Sequence, residues 1–303
     1  MRGPLKPLWL TEMVAVWGYV QRNYFLTKRY FMWEIVWLTF TTVNAMSITF
    51  IGAGVDEVGG GQGTDISFYM TYLLIGALIW SYLSMIFDIL SETVQWERWE
   101  GTIEYTFMSP TSRVTHLLGM GVYAIVYGIL RTAIVFGVAM LAFDLDLSNA
   151  NYWAALVVLA VCSISLVGFG VVAAVMPLLS PEKGQQVTYI VSAILLLVSG
   201  VYYPVSVLPG WMQVVAQFSP VTYALRGFRA ALQHGASLPQ LWNNIWPLLI
   251  MGLVFVPLGI FIFRLGESYA KRTGKLKRSG CRGYQATGLR HQEKYLMPET
   301  CSL

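Results

Sequence analysis

The feature that most constrains this chain is a succession of apolar stretches, each long enough to cross a bilayer, set in two groups on either side of a charged segment, Ser91 to Arg113. A hydrocarbon core about 30 Å thick takes roughly 20 helical residues to cross. Stretches of that length predict spans over residues 31–51, 68–89, 117–143, 152–179, 187–203 and 245–263. Backbone polar groups cannot stay unpaired in lipid, so such stretches must be helices. Charged residues make up 12% of the chain, against about 25% in a soluble domain, so lipid is its main solvent. The expectation is an all-α membrane protein with one membrane domain, residues 31–263, between an N-terminal segment 1–30 and a basic tail 264–303.

Basic residues orient these spans. Arg2, Lys6, Arg22, Lys28 and Arg29 precede the first, and nine Lys and Arg follow Phe263. The loop between Gly52 and Ile66 has Asp56, Glu57 and Asp65 but no Lys or Arg. Positive charge stays on the cytoplasmic side, which predicts that both termini are cytoplasmic and that this loop is external. The net charge of +4 therefore goes with membrane flanks rather than with nucleic acid. Glu12, Gln21 and Arg22 interrupt any leader-like apolar core, so no cleaved signal peptide is expected. Cys162, Cys281 and Cys301 make no disulfide framework, and His116, His234 and His291 are too scattered for a metal site. Gly274 and Lys275 are followed by Leu276 where a phosphate loop needs Ser or Thr. No metal, cofactor or catalytic residue is expected in this chain.

Leu8 to Tyr30 is too polar to span, and its interleaved Trp and Tyr suit an amphipathic helix on the cytoplasmic membrane surface. In the charged segment, Glu97, Glu100 and Glu104 share a broad helical face with Trp96 and Trp99 beside them. Gly101 permits a change of direction there, while Ser109 and Pro110 favour an end before the next span. Residues 204–233 remain apolar but are broken by Pro204, Pro209, Gly210 and Pro220. They predict two short helices, about 211–218 and 221–233, dipping into the outer leaflet, with Trp211, Phe218, Tyr223 and Phe228 as contact surfaces. Arg226 and Arg229 suit phosphate headgroups or an acidic passenger.

Arg131 stands inside the third span, where an isolated arginine costs about 2.5–3.5 kcal/mol on insertion scales. It needs partners. Tyr127 lies one turn earlier, and Ser163 or Ser165 of the fourth span would serve if those helices pair. The four residues are either the lining of a hydrated passage or an internal polar network.

The run Glu97, Arg98, Trp99, Glu100, Gly101, Thr102, Ile103 and Glu104, followed by Ser109 to Arg113, resembles the membrane subunits of bacterial ABC-2 type exporters. So do Gly200 to Pro204, Leu208 with Pro209, and Ser219 to Arg226. That family includes daunorubicin-resistance permeases and polysaccharide or nodulation-factor export permeases. The resemblance implies a type V exporter fold, with six transmembrane helices, an N-terminal interfacial helix and external re-entrant helices. It implies that the coupling segment 91–113, through Glu97, Arg98, Glu100, Gly101, Thr102 and Glu104, touches a separate ATP-binding subunit that holds ATP and Mg. It further implies two such subunits, a second permease copy or a homologous permease, and an external layer that includes Tyr203, Pro204, Pro209, Trp211, Phe218, Pro220, Tyr223, Arg226 and Arg229. The implied function is export of a drug, lipophilic metabolite or lipid-linked compound across a bacterial cytoplasmic membrane. Polysaccharide or glycolipid export, secondary transport and a noncatalytic assembly role stand as alternatives.

Overall fold

The computed structural model describes residues 8–59, 66–109, 111–143, 150–180 and 183–273, and the side chains of residues 8, 9, 55–59, 66, 67, 104, 107 and 113 lie outside that set. Expectations that concern Pro110, the loop at 60–65 and the tail beyond residue 273 fall outside the described residues.

The described residues form eleven α-helices and no strand. α1 is Leu8–Arg29, α2 Phe31–Gly59, α3 Ile66–Glu100, α4 Ile103–Met108 and α5 Arg113–Phe143. α6, Tyr152–Ala173, is continued after a break by α7, Val175–Leu179, and then by α8, Gly184–Val198. After a 3₁₀ turn at Val205–Val207 come α9, Gly210–Ala216, α10, Pro220–Gln233, and α11, Leu238–Arg272. Five of these segments are long and apolar enough to cross a membrane: α2, α3, α5, α6 with α7, and α11. The chain is a multi-pass membrane protein. α8 is apolar but has 15 residues, which reach about 22 Å and fall short of the hydrocarbon thickness. Where the sequence predicts six full spans, five full-length helices and this shorter one are found.

α3 and α6 are the most buried of the long helices and form the centre, with α2, α5 and α11 mostly exposed around them. α6 packs most extensively on α11. There the backbones nearly touch: a Cβ on Gly168 would stand 2.6 Å from the Phe255 carbonyl carbon, and one on Gly259 would stand 2.6 Å from the Gly168 oxygen. Small residues allow this approach, and close packing is what associates helices that share an apolar solvent. Ser165 adds a hydrogen bond across the same interface, donating to the Leu248 carbonyl at 2.6 Å. On the other side of α6, Ser163 pairs with the hydroxyl of Tyr82 on α3.

Several boundaries differ from expectation: α2 continues to Gly59 through residues expected in the loop, α11 continues to Arg272, and two further differences have local reasons. α3 does not stop near Ile89 but runs on to Glu100. Nothing from 90 to 100 breaks a helix, and Leu90 and Val94 continue its buried face. α11 begins at Leu238, seven residues before the expected span, because Ser237 and Gln240 form a reciprocal capping box.

Candidate functional site

The polar chemistry lies along two helix seams and at both ends of α3. At the end of α3 that carries Glu97, successive residues point about 100° apart, so Glu97 and Arg98 face different neighbours. Glu97, 1% exposed, accepts a hydrogen bond from Arg22 of α1 at 2.6 Å and lies 3.3 Å from His116 Nε2 of α5. Tyr19 packs its ring on His116 at 4.8 Å between centroids and pairs its hydroxyl with Thr111 at 3.2 Å. Thr115 donates to Glu12. α1 is thereby clamped to the end of α3 and the start of α5. Arg98, 5% exposed, reaches the other way and donates to the Leu178 carbonyl at the end of α7.

Only part of the expected contact segment faces outward. Glu100 is exposed, and Trp96 and Trp99 meet edge to face at 5.5 Å on the surface. Gly101 then takes φ 75°, in the left-handed region, which turns the chain out of α3. Thr102 hydrogen-bonds back to the Glu97 carbonyl at 3.4 Å. In α4, Ile103 is buried, while Tyr105 and Met108 are 76% and 81% exposed. Glu104 lies in α4 with its side chain outside the described set. Ser109 ends the helix and hydrogen-bonds Thr111 at 2.9 Å. An aromatic and acidic surface, Trp96, Trp99, Glu100, Tyr105 and Met108, thus sits on an inward anchor made by Glu97, Arg98 and Ile103.

The second seam runs between α2 and α5. Arg131 donates to the Trp37 carbonyl at 2.7 Å and to Thr41 Oγ1 at 2.6 Å. Tyr127 donates to Glu34, its ring stacks on Tyr123 at 5.6 Å, and Tyr123 pairs with Thr27 of α1. The expected pairing with the fourth span is corrected here. Ser163 and Ser165 sit on α6 against α3 and α11, whereas Arg131 faces α2. Tyr123, Tyr127 and Arg131 recur every four residues, and Glu34, Trp37 and Thr41 every three or four. Those matched stripes are the signal that could have named α2 as the partner. Arg131→Gln is expected to lower the stability of the purified chain by about 1.5–3 kcal/mol, the scale of a hydrogen bond to a charged group. Thermal unfolding in detergent measures this, and an unshifted transition would remove Arg131 from the seam's energetics.

At the opposite end of α3, Arg229 of α10 lies over the Tyr72 ring at 3.5 Å and donates to the carbonyls of Gly200 at 3.1 Å and Val201 at 2.6 Å. Tyr203 donates to the Leu197 carbonyl, and Pro204 opens the 3₁₀ turn. Pro209 caps α9, from which Trp211 projects, exposed, with Phe218 exposed beyond its end. Pro220 starts α10 with its missing N–H in the first turn, where no bond is lost. Ser199 and Ser219 join the end of α8 to the start of α10 at 2.8 Å. Tyr223 is half-buried, and Arg226 is exposed, its guanidinium 5.9 Å from the Tyr223 ring centre. Among the described residues no group of His, Cys, Asp or Glu could hold a metal ion.

A family model described as "ABC-2 type transporter" matches residues 13–232. The chain is also similar to the "Probable multidrug ABC transporter permease YbhR" of Escherichia coli (strain K12), 27% identical over 168 residues, which cover 54% of this chain and 44% of that protein. It is similar as well to the "Uncharacterized protein YhgE" of Bacillus subtilis (strain 168), 28% identical over 141 residues, 46% of this chain and 17% of that protein. The matched region is thus less than half the length of these relatives.

Proposed function

From the premise that this chain belongs to the ABC-2 type transporter family, we propose that it is the membrane permease of an ATP-driven exporter. Permeases of this family are non-catalytic transport subunits that work with ATP-binding cassette subunits, so ATP and Mg act in the partner. Two permease copies and two ATP-binding subunits make the working complex, in a bacterial cytoplasmic membrane with both termini inside. α8 and the turn after it make the sixth crossing, α1 lies along the inner surface, and α9 with α10 forms an outer re-entrant layer. The passenger is a drug or other lipophilic compound. The exposed aromatic residues of the outer layer favour it, as does similarity to a relative named as a probable multidrug permease.

The observation that carries the proposal is the outward surface at the turn after α3. Trp96, Trp99, Glu100, Tyr105 and Met108 offer an apolar footing with an acidic residue, held from behind by Glu97 and Arg98. Gly101 and Thr102 give this surface its turn. A partner that pushes here moves α1, α3 and α5 together, since the Glu97 cluster ties them. The paired change Trp99→Ala and Glu100→Lys is expected to reduce co-purification of the ATP-binding subunit at least about 10-fold, the scale of one interfacial anchor. Substrate-stimulated ATPase activity of the reconstituted complex should fall with it. Full co-purification and full stimulated activity would sink this assignment.

A further inference from the structure

At the end of α3 away from Glu97, a cavity of about 440 Å³ opens between α3, the turn after α8, and α10. That is within the size range of small-ligand sites, about 300–1,000 Å³. Thr222, Arg226, Arg229 and Gln233 all line it and recur along α10 at four-, three- and four-residue intervals, so they form one polar face. Three of them hold polar atoms that are buried without a hydrogen-bond partner among the described residues: Thr222 Oγ1, Arg229 Nε and Gln233 Nε2. Thr222 is 1% exposed. Buried polar groups in native proteins almost always have partners, so three orphans on the helix face that carries this cavity call for a partner that the described residues do not supply. All three can donate a hydrogen bond, and Arg226 adds a second guanidinium at the rim. No carboxylate stands among the described residues lining the cavity. Arg229 is held rigid by the two carbonyls it binds and by Tyr72 beneath it, so its remaining N–H is fixed in direction.

We propose that this cavity is a binding site for a phosphate group carried on an amphiphile. A phosphate ester presents several acceptor oxygens to a set of separate donors, and arginine recognises it strongly. Phe68 of α3 and Val205 of the turn after α8 also line the cavity and supply an apolar surface for the attached chain. The site takes its chemistry from α10, the start of α3 and the turn after α8, none of which is used in the reading of the ATPase contact.

The test uses the purified full chain in neutral detergent, titrated with dioctanoyl phosphatidic acid, dioctanoylglycerol or inorganic phosphate and followed by native mass spectrometry. The phosphatidic acid is expected to bind saturably and the uncharged dioctanoylglycerol at least about 10-fold more weakly. Arg226→Gln, at an exposed position, should weaken phosphatidic acid binding about 10-fold, the effect of one charge-assisted hydrogen bond. Thr222→Val should weaken it several-fold, while Gln233→Arg should tighten it. Inorganic phosphate that competes at the same site would identify a soluble phosphate compound as the source of the group. Phosphate that fails to compete would identify a lipid headgroup. Equal binding of the charged and uncharged lipids, or unchanged affinity in Arg226→Gln and Gln233→Arg together, overturns the proposal.

Discussion

Glu97→Lys is expected to prevent accumulation of the folded chain. The carboxylate lies between Arg22 and His116 with almost no solvent around it, and a lysine there would face two cationic or protonatable groups. Removing one member of a buried ion pair costs about 3–5 kcal/mol because the other charge is left uncompensated. Arg22 keeps partial exposure, which places Glu97→Gln toward or below the low end of that range. Charge reversal adds repulsion to the loss. The measurement is the yield of monodisperse chain on gel filtration, together with labelling of cysteines placed along α1. Glu97→Gln should give a folded chain with α1 more reactive, and Glu97→Lys little folded chain at all. The exchange Arg22→Glu with Glu97→Arg should recover part of the yield. Normal yield and unchanged labelling of α1 in Glu97→Lys would mean that the cluster does not hold α1 in place.

The second large effect is expected at Gly168. A valine there would drive its first side-chain carbon against the backbone of Phe255 and Val256 in α11, both 2.6 Å away. Backbone cannot rotate aside as a side chain can, so α11 has to translate as a unit. Overpacking costs typically about 1–3 kcal/mol and occasionally more, and the most extensive helix pair of the fold leaves no slack for it. Displacement would also stretch the Ser165 hydrogen bond to Leu248. Gly168→Val should therefore lower the unfolding temperature sharply. Gly137→Ala is the matched control, because a Cβ at Gly137 meets no atom within 4 Å. Equal melting of the two variants would count against close α6–α11 contact as a source of stability.

Much of this architecture was legible because lipid imposes a simple rule on composition. Apolar length located α2, α3, α5, α6 and α11, and proline positions foretold the short helices that became α9 and α10. Gly101 was readable as a turn because few other residues accept its backbone angle. What the sequence could not say is which charge answers which. Glu97 and Glu100 look alike in a run of acidic residues, yet one is sealed beneath α1 and the other faces outward. That difference rests on Arg22 and His116, which lie far apart along the chain. Arg131 announced a need for partners, but helical spacing reveals only its own face. Its partners were a backbone carbonyl and Thr41 on α2, and a carbonyl carries no sequence signature.

α3 is one uninterrupted helix with no proline between Tyr72, beneath the Arg229 guanidinium, and Glu97, inside the α1 clamp. At 1.5 Å per residue these two points are about 38 Å apart on the same rod. A hydrogen-bonded helix resists compression along its axis far better than a jointed connection would, and neither a proline nor a break interrupts this one. A displacement delivered at Gly101 would be carried along this rod toward the turn that Arg229 ties at Gly200 and Val201, with no break in the helix to absorb it.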